Sequence, residues 1–179
     1  MPNVSTGLVA AVIENGIKRP IELLIRQHFY PAALVLAYSG IDTMAFLNMS
    51  AARTDVMRSD FIEWAGKYIH LPVDSQLTGR DLYAARCSVL HGGAYSRLSR
   101  GGECRPIRHF ARGSDLDMAA NAPPSEEEAV VISVEDFVAA FFLGVDAFLA
   151  DVSEDGNRVD AVQQRLTYLQ TTLPYGPKA

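Results

Sequence analysis

The chain has 179 residues, 49% of them hydrophobic, a mean hydropathy of +0.06 and a formal net charge of −5. That length buries about two-thirds of the unfolded surface around one core, so a single domain over residues 1–179 is expected. Two cysteines, Cys87 and Cys104, make no CxxC pair and supply neither a disulfide framework nor a zinc cage.

Charge is unevenly distributed. From Arg80 to Arg112 seven arginines face two acids, a local charge of +5, whereas Asp115 to Asp160 carries twelve acids against Arg158 alone, −11. Two solvated faces explain this, and so does a basic patch for phosphate beside an acidic segment that shields it. The segment Met1 to Gly16 lacks the charge order of a secretory signal, so a cytoplasmic protein is expected.

In chain order, Ile13, Ile17, Ile21, Leu24 and Ile25 recur at helical spacing, with Gly16 and Pro20 expected to divide the segment in two. A second helix is predicted from about Pro31 to Met49. A third, Asp55 to Tyr68, presents Phe61, Trp64, Ala65 and Tyr68 as one stripe. Asp42 inside the apolar run Tyr30 to Met49, and Asp146 inside Phe137 to Ala150, favour buried helices over membrane spans, so no membrane partner is expected. Thr78 is the expected N-cap of a fourth helix, Gly79 to His91, with Asp81 in its first turn and Gly92-Gly93 as its stop.

Beyond it, Arg105 to Ala111 and Ala129 to Val134 suggest a small β-hairpin flanking a flexible connection, Gly113 to Ser125. Two helices, Val134 to Asp151 and Arg158 to Thr171, are expected around a turn at Asp155 to Asn157. The expected fold is an all-α bundle of five or six helices with a small hairpin insert.

The phosphate loop GxxxxGK[ST], the dinucleotide GxGxxG, the zinc-protease HExxH, the hydrolase GxSxG and an EF-hand loop are all missing. His28, His70, His91 and His109 are not spaced as ligand pairs on one helix, and neither metal nor cofactor is expected. What remains is Arg86 followed five positions later by His91 and then two glycines. Five residues on a regular helix separate side chains by about 140°, so the two converge only where the helix ends and the backbone turns, or across a two-fold axis. Such a pair suits metal-free cleavage of RNA: histidine moves protons near neutrality and arginine grips the phosphate as charge builds on it. A surface arginine beside a helix-terminal histidine that complements the dipole is the plainer reading.

Arg86-x4-His91-Gly92, on the helix that carries Asp81 and Tyr83, resembles the R-x4-6-H signature of the HEPN superfamily. The segment Ala32 to Leu47, with Ser39 and Asp42, is similar to the helix that packs against the family's motif helix. The resemblance spans Pro31 to Gly93, about a third of the chain. It implies a small helical bundle that dimerises. It also implies a metal-independent ribonuclease of the toxin or phage-defence kind, in which Arg86 and His91 are catalytic, RNA is the substrate and an antitoxin protein is a partner. Active members commonly carry a polar residue directly after the arginine; here Cys87 stands there. A non-catalytic HEPN-like module that binds RNA or serves as a dimeric scaffold is the alternative, and an unrelated helical protein that binds a small molecule is a third reading.

Of the supporting residues, Ser39 and Asp42 share one helix face. Asp42 either orients His91 or pairs with Arg86, or else is a buried acid satisfied by a hydroxyl or an arginine. Tyr83 stacks a base or donates to phosphate, or is a core tyrosine. Arg97, Arg100, Arg105 and Arg108 track an RNA backbone or pair with Glu126 to Glu128.

Overall fold

The structure is a computed structural model, and it describes residues 4–50, 53–72, 77–91, 103–113 and 129–170. Among them the elements are α1 (Val4–Ile13), a π-helical turn (Glu14–Lys18), α2 (Arg19–Arg26), α3 (Tyr30–Asn48), α4 (Arg58–Tyr68), α5 (Gly79–Leu90), β1 (Ile107–Phe110), β2 (Val130–Ser133), α6 (Val134–Ser153) and α7 (Gly156–Gln170). This is the mostly helical bundle with a small β insert that the hydrophobic periodicity predicts.

The first helical segment differs from expectation, because Gly16 and Pro20 do not break it. The backbone widens into the π turn instead, and α2 starts with Pro20 in its first turn. Proline lacks the N–H that would bond the carbonyl four residues back and its ring crowds that carbonyl, so an expanded turn keeps the path helical. The segment ends at His28, whose φ of 60° is left-handed.

At the centre lies α3, which packs against α2, α4, α5, α6 and α7. By length and composition it could cross a membrane, yet half of its apolar window is buried inside the fold. Its core face presents Ala37, Tyr38, Ile41, Met44 and Ala45. Against it stand the predicted stripe of α4, with Phe61, Trp64, Ala65 and Tyr68 all buried, and Phe137, Phe141, Val145 and Phe148 of α6. Trp64 has Tyr68, Phe141 and Phe148 as aromatic neighbours, with ring centroids 5.2 to 6.2 Å away. Such a cluster adds geometric preference to its large buried area.

Helix α4 starts at Arg58 rather than at Asp55. The Asp60 carboxylate accepts the Met57 N–H at 2.7 Å and the Arg53 guanidinium at 2.6 and 2.8 Å, which fixes the extended backbone of Met57 just before the first turn. Arg53 holds the Asp60 carboxyl below the usual carboxylate range, mainly through that hydrogen bond.

The β insert corrects the expected hairpin. Both strands form where β-branched and aromatic residues predicted them, but they pair in parallel, from Ile107 opposite Val130 to Phe110 opposite Ser133. A tight turn joins only antiparallel strands, and the interval between 110 and 130 is long enough to return the chain to the same end. The direction of β2 is fixed by its junction with α6: Ser133 closes the strand and caps the helix, its Oγ accepting the Asp136 N–H at 3.0 Å. Of the expected flexible connection, all but Gly113 lies outside the described residues.

Candidate functional site

Helix α5 is anchored at its start and released at its end. Thr78 Oγ1 accepts the Asp81 N–H at 3.3 Å, as expected of the N-cap, and Asp81 Oδ2 also accepts the Thr78 N–H at 2.8 Å, which makes the cap reciprocal. Asp81, buried, also takes the Arg105 N–H at 2.7 Å. Gly79 seats this end against α4: a Cβ there would lie 2.1 Å from the Ile62 carbonyl oxygen. At the far end His91 is the C-cap, with φ −111° and ψ 10°, and its N–H still bonds the Cys87 carbonyl at 3.1 Å.

Leaving helical geometry at His91 brings the side chains together. Arg86 Nη1 lies 3.5 Å from His91 Nε2, at the outer limit of hydrogen bonding. Arg86 is itself held from α3: its Nε and Nη2 donate to Asp42 Oδ2 at 3.1 and 2.9 Å. The Arg86 and Asp42 side chains retain 22% and 30% of their exposure, and His91 is exposed, so the group opens to solvent. Burial opposes the charge of Arg86, but the hydrogen bond and charge of Asp42, with help from Cys87, outweigh it and leave the guanidinium more basic than usual.

Tyr83 completes the cluster. Its ring meets the edge of Phe61, and two guanidinium groups lie over it, Arg58 at 5.3 Å and Arg86 at 5.9 Å from the centroid. Burial, then the charge and hydrogen bond of Cys87, push its hydroxyl above the ordinary tyrosine range against the two arginines, so it stays a protonated donor. Arg58 makes no ion pair among the described residues. With Asp42 matched to Arg86, its cation is the surplus charge of the site. A cationic, aromatic and partly dry surface of this kind suits a phosphate beside a planar group.

The other predicted residues are placed differently. Ser39 lies one turn before Asp42 but is exposed, and its carbonyl accepts the Thr43 hydroxyl at 3.1 Å. Arg105 belongs to the opposite end of α5, where its guanidinium stands 3.8 Å from Asp81. Arg108 sits in β1, opposite Val131. Arg97 and Arg100 lie outside the described residues. Part of the basic stretch is already matched by acids of α6, since the Arg112 guanidinium pairs with Asp136. Among the described residues no three His, Cys, Asp or Glu side chains are grouped to hold a metal ion.

Sequence reasoning missed Arg58, which has no spacing relation to Arg86 or His91. It also missed an internal pair: Tyr38 Oη lies 2.9 Å from His109 Nε2, with Phe137 stacked beside both rings. The fold and site together define a mostly helical protein with an arginine, histidine and tyrosine cluster toward the C-terminal end of α5. Compared with known proteins, the chain matches no family model, no curated protein and no solved structure.

Proposed function

We propose that the chain is a HEPN-like, metal-independent endoribonuclease, with His91 moving protons and Arg86 stabilising charge on the phosphate. The supporting observation is the approach of Arg86 Nη1 to His91 Nε2, 3.5 Å apart at a solvent-open helix end, with Asp42 bracing the guanidinium from α3. In the proposed reaction the ribose 2′-oxygen gives up its proton toward His91 and bonds the neighbouring phosphorus. The bond from phosphorus to the 5′-oxygen breaks, and that oxygen gains a proton. The products are a 2′,3′-cyclic phosphate and a 5′-hydroxyl. Arg86 meets the phosphoryl oxygens as their charge grows, and Arg58 grips a neighbouring phosphate.

The two proton transfers are matched by two imidazoles if the chain works as a symmetric homodimer with one His91 on each side of the phosphate. A toxin or phage-defence role, with an antitoxin protein as partner, belongs to the same proposal. Purified protein in EDTA is expected to cut single-stranded RNA. The His91→Ala variant is expected to lose cutting at unchanged circular dichroism, and cutting that persists in that variant would overturn the assignment.

A second reading is favoured by Cys87, which stands directly after Arg86 at the position where active HEPN proteins commonly carry a polar side chain. In it the same cluster binds RNA without cleaving it, as a dimeric scaffold. Fluorescence anisotropy against salt then gives a salt-dependent affinity with intact RNA recovered at the end.

A further inference from the structure

A second cationic and aromatic site lies at the C-terminal end of α3, where Phe46, Arg53, Thr54, Gln164, Arg165 and Tyr168 line a cavity of about 320 Å³. Pockets of this size hold small ligands, and they are usually apolar with a few polar groups converging on one point.

Arg165 is the unusual member. It is only 5% exposed, and its partners are neutral carbonyls rather than carboxylates. Nε donates to Met49 O at 3.2 Å, and Nη2 donates to Arg53 O at 2.9 Å and to Ser50 O. The guanidinium lies 5.1 Å from the centroid of the Phe46 ring. Nη1 has no hydrogen bond among the described residues, and Arg165 is one of the residues that line the cavity.

Among the described residues no carboxylate pairs with Arg165. Asp60 forms the ion pair with Arg53 and also feels the charge of Arg165, while the exposed Asp55 accepts the Thr54 hydroxyl at 3.0 Å. Glu63 acts on Arg53 from an exposed position, where water screens it. Among the described residues Arg165 therefore has no carboxylate of its own, and it shares the half-buried Asp60 with Arg53. A buried cation without its own counter-charge is costly, and an anion at Nη1 relieves that cost. Arginine presents a forked donor set that suits a carboxylate or a phosphate.

We infer that this cavity binds a small aromatic anion, its planar ring against Phe46 and Tyr168 and its carboxylate or phosphate on Arg165 Nη1. The inference is independent of the ribonuclease reading, because it uses neither Arg86 nor His91.

Two pairs of probes test it on the full chain by thermal shift and calorimetry: AMP against adenosine, and 1-naphthoate against 1-naphthamide. At least one anionic probe is expected to raise the melting temperature while its neutral partner does not, and which of the two does so distinguishes phosphate from carboxylate. Arg165 also holds the 49–53 segment, so the variants chosen are at exposed positions of α7. Tyr168→Ala removes a wall and Gln164→Glu places a negative charge at the rim. Each is expected to weaken binding of the active probe at least tenfold without changing the melting temperature of the free protein. Equal binding of charged and neutral partners, no stabilisation by either anion at millimolar concentration, or unchanged affinity in both variants would overturn the inference.

Discussion

Asp42 and Arg86 lie forty-four positions apart and meet at a single carboxylate oxygen, Oδ2, which accepts from both Nε and Nη2 of the guanidinium. With two of its nitrogens committed to α3, Arg86 has its third, Nη1, directed to His91. On the ribonuclease reading the aspartate is a positioning residue, setting the direction in which the arginine presents its remaining donors.

Replacing that carboxylate separates positioning from folding. Asp42→Asn keeps the shape and removes the charge, and the pair is partly exposed, so the stability cost is small, about 1 kcal/mol. If the chain is the proposed ribonuclease, the effect on cleavage is expected to be larger, at least tenfold in kcat with KM nearly unchanged, and Asp42→Glu is expected to recover part of it. A melting curve and steady-state kinetics on one RNA substrate check both halves. Equal loss in the Asn and Glu variants would leave Asp42 a purely structural acid.

Arg58 and Arg105 are expected to behave oppositely. Arg58 lies over Tyr83 without an ion pair among the described residues, so on the proposed RNA-directed reading Arg58→Ala should weaken RNA binding and reduce the salt slope by about one contact, with folding unchanged. Arg105 stands near buried Asp81 at the far end of α5, so Arg105→Ala should lower the melting temperature and leave the salt slope alone. Anisotropy titrations at several salt concentrations and melting curves of both variants distinguish these outcomes.

What the sequence revealed and what it hid divide along sequence distance. The stripe of α4, the Thr78 cap with Asp81 three residues on, and the ending of α5 at His91 are local, and periodicity and capping chemistry express them directly. Asp42 was legible as an acid in need of a partner, because a charge inside an apolar run demands one; that Arg86 meets it was one of several options left open. The parallel pairing of β1 with β2, the Arg58 stack on Tyr83 and the Tyr38–His109 bond join distant segments whose approach no local pattern encodes. Gly16 and Pro20 were misleading because a π turn absorbed them where a break was expected.

Gly79 offers a test of how the motif helix is seated. A methyl group there would meet the Ile62 carbonyl oxygen at 2.1 Å and the Gly66 nitrogen at 2.9 Å, which are backbone atoms that no rotamer change can clear. Gly79→Ala is expected to cost about 3 kcal/mol or more as α5 is pushed away from α4. Tyr83 and Arg58 stand on these two helices, so the contact between them should loosen as well. Gly16→Ala, with nothing within 4 Å of the added Cβ, is the matched control and should not destabilise. Urea melts of the two variants give the comparison directly.

His109 sets the expected response to acid. The residue as a whole is half-buried, but Nδ1 is sealed without a partner among the described residues and Nε2 bonds buried Tyr38. Burial of these nitrogens, more than exposure of the ring edge, governs the proton, and it pushes the imidazole down from 6.5 to about 4. The unfolded chain binds this proton below pH 6.5, whereas the folded chain resists it until about pH 4. Stability from the neutral ring is therefore complete above pH 6.5, declines as pH falls through that window and levels off below it, for a total of about 3 kcal/mol. The carboxyls of Asp60, Asp136 and Asp151 are held below the usual carboxylate range by their hydrogen-bond partners, so their contribution is lost only at lower pH. His109→Gln can keep a hydrogen bond to Tyr38 and does not titrate. Between pH 7 and 4.5 the parent protein should lose several degrees more of melting temperature than this variant, and parallel losses would show that the imidazole stays neutral in neither state or in both.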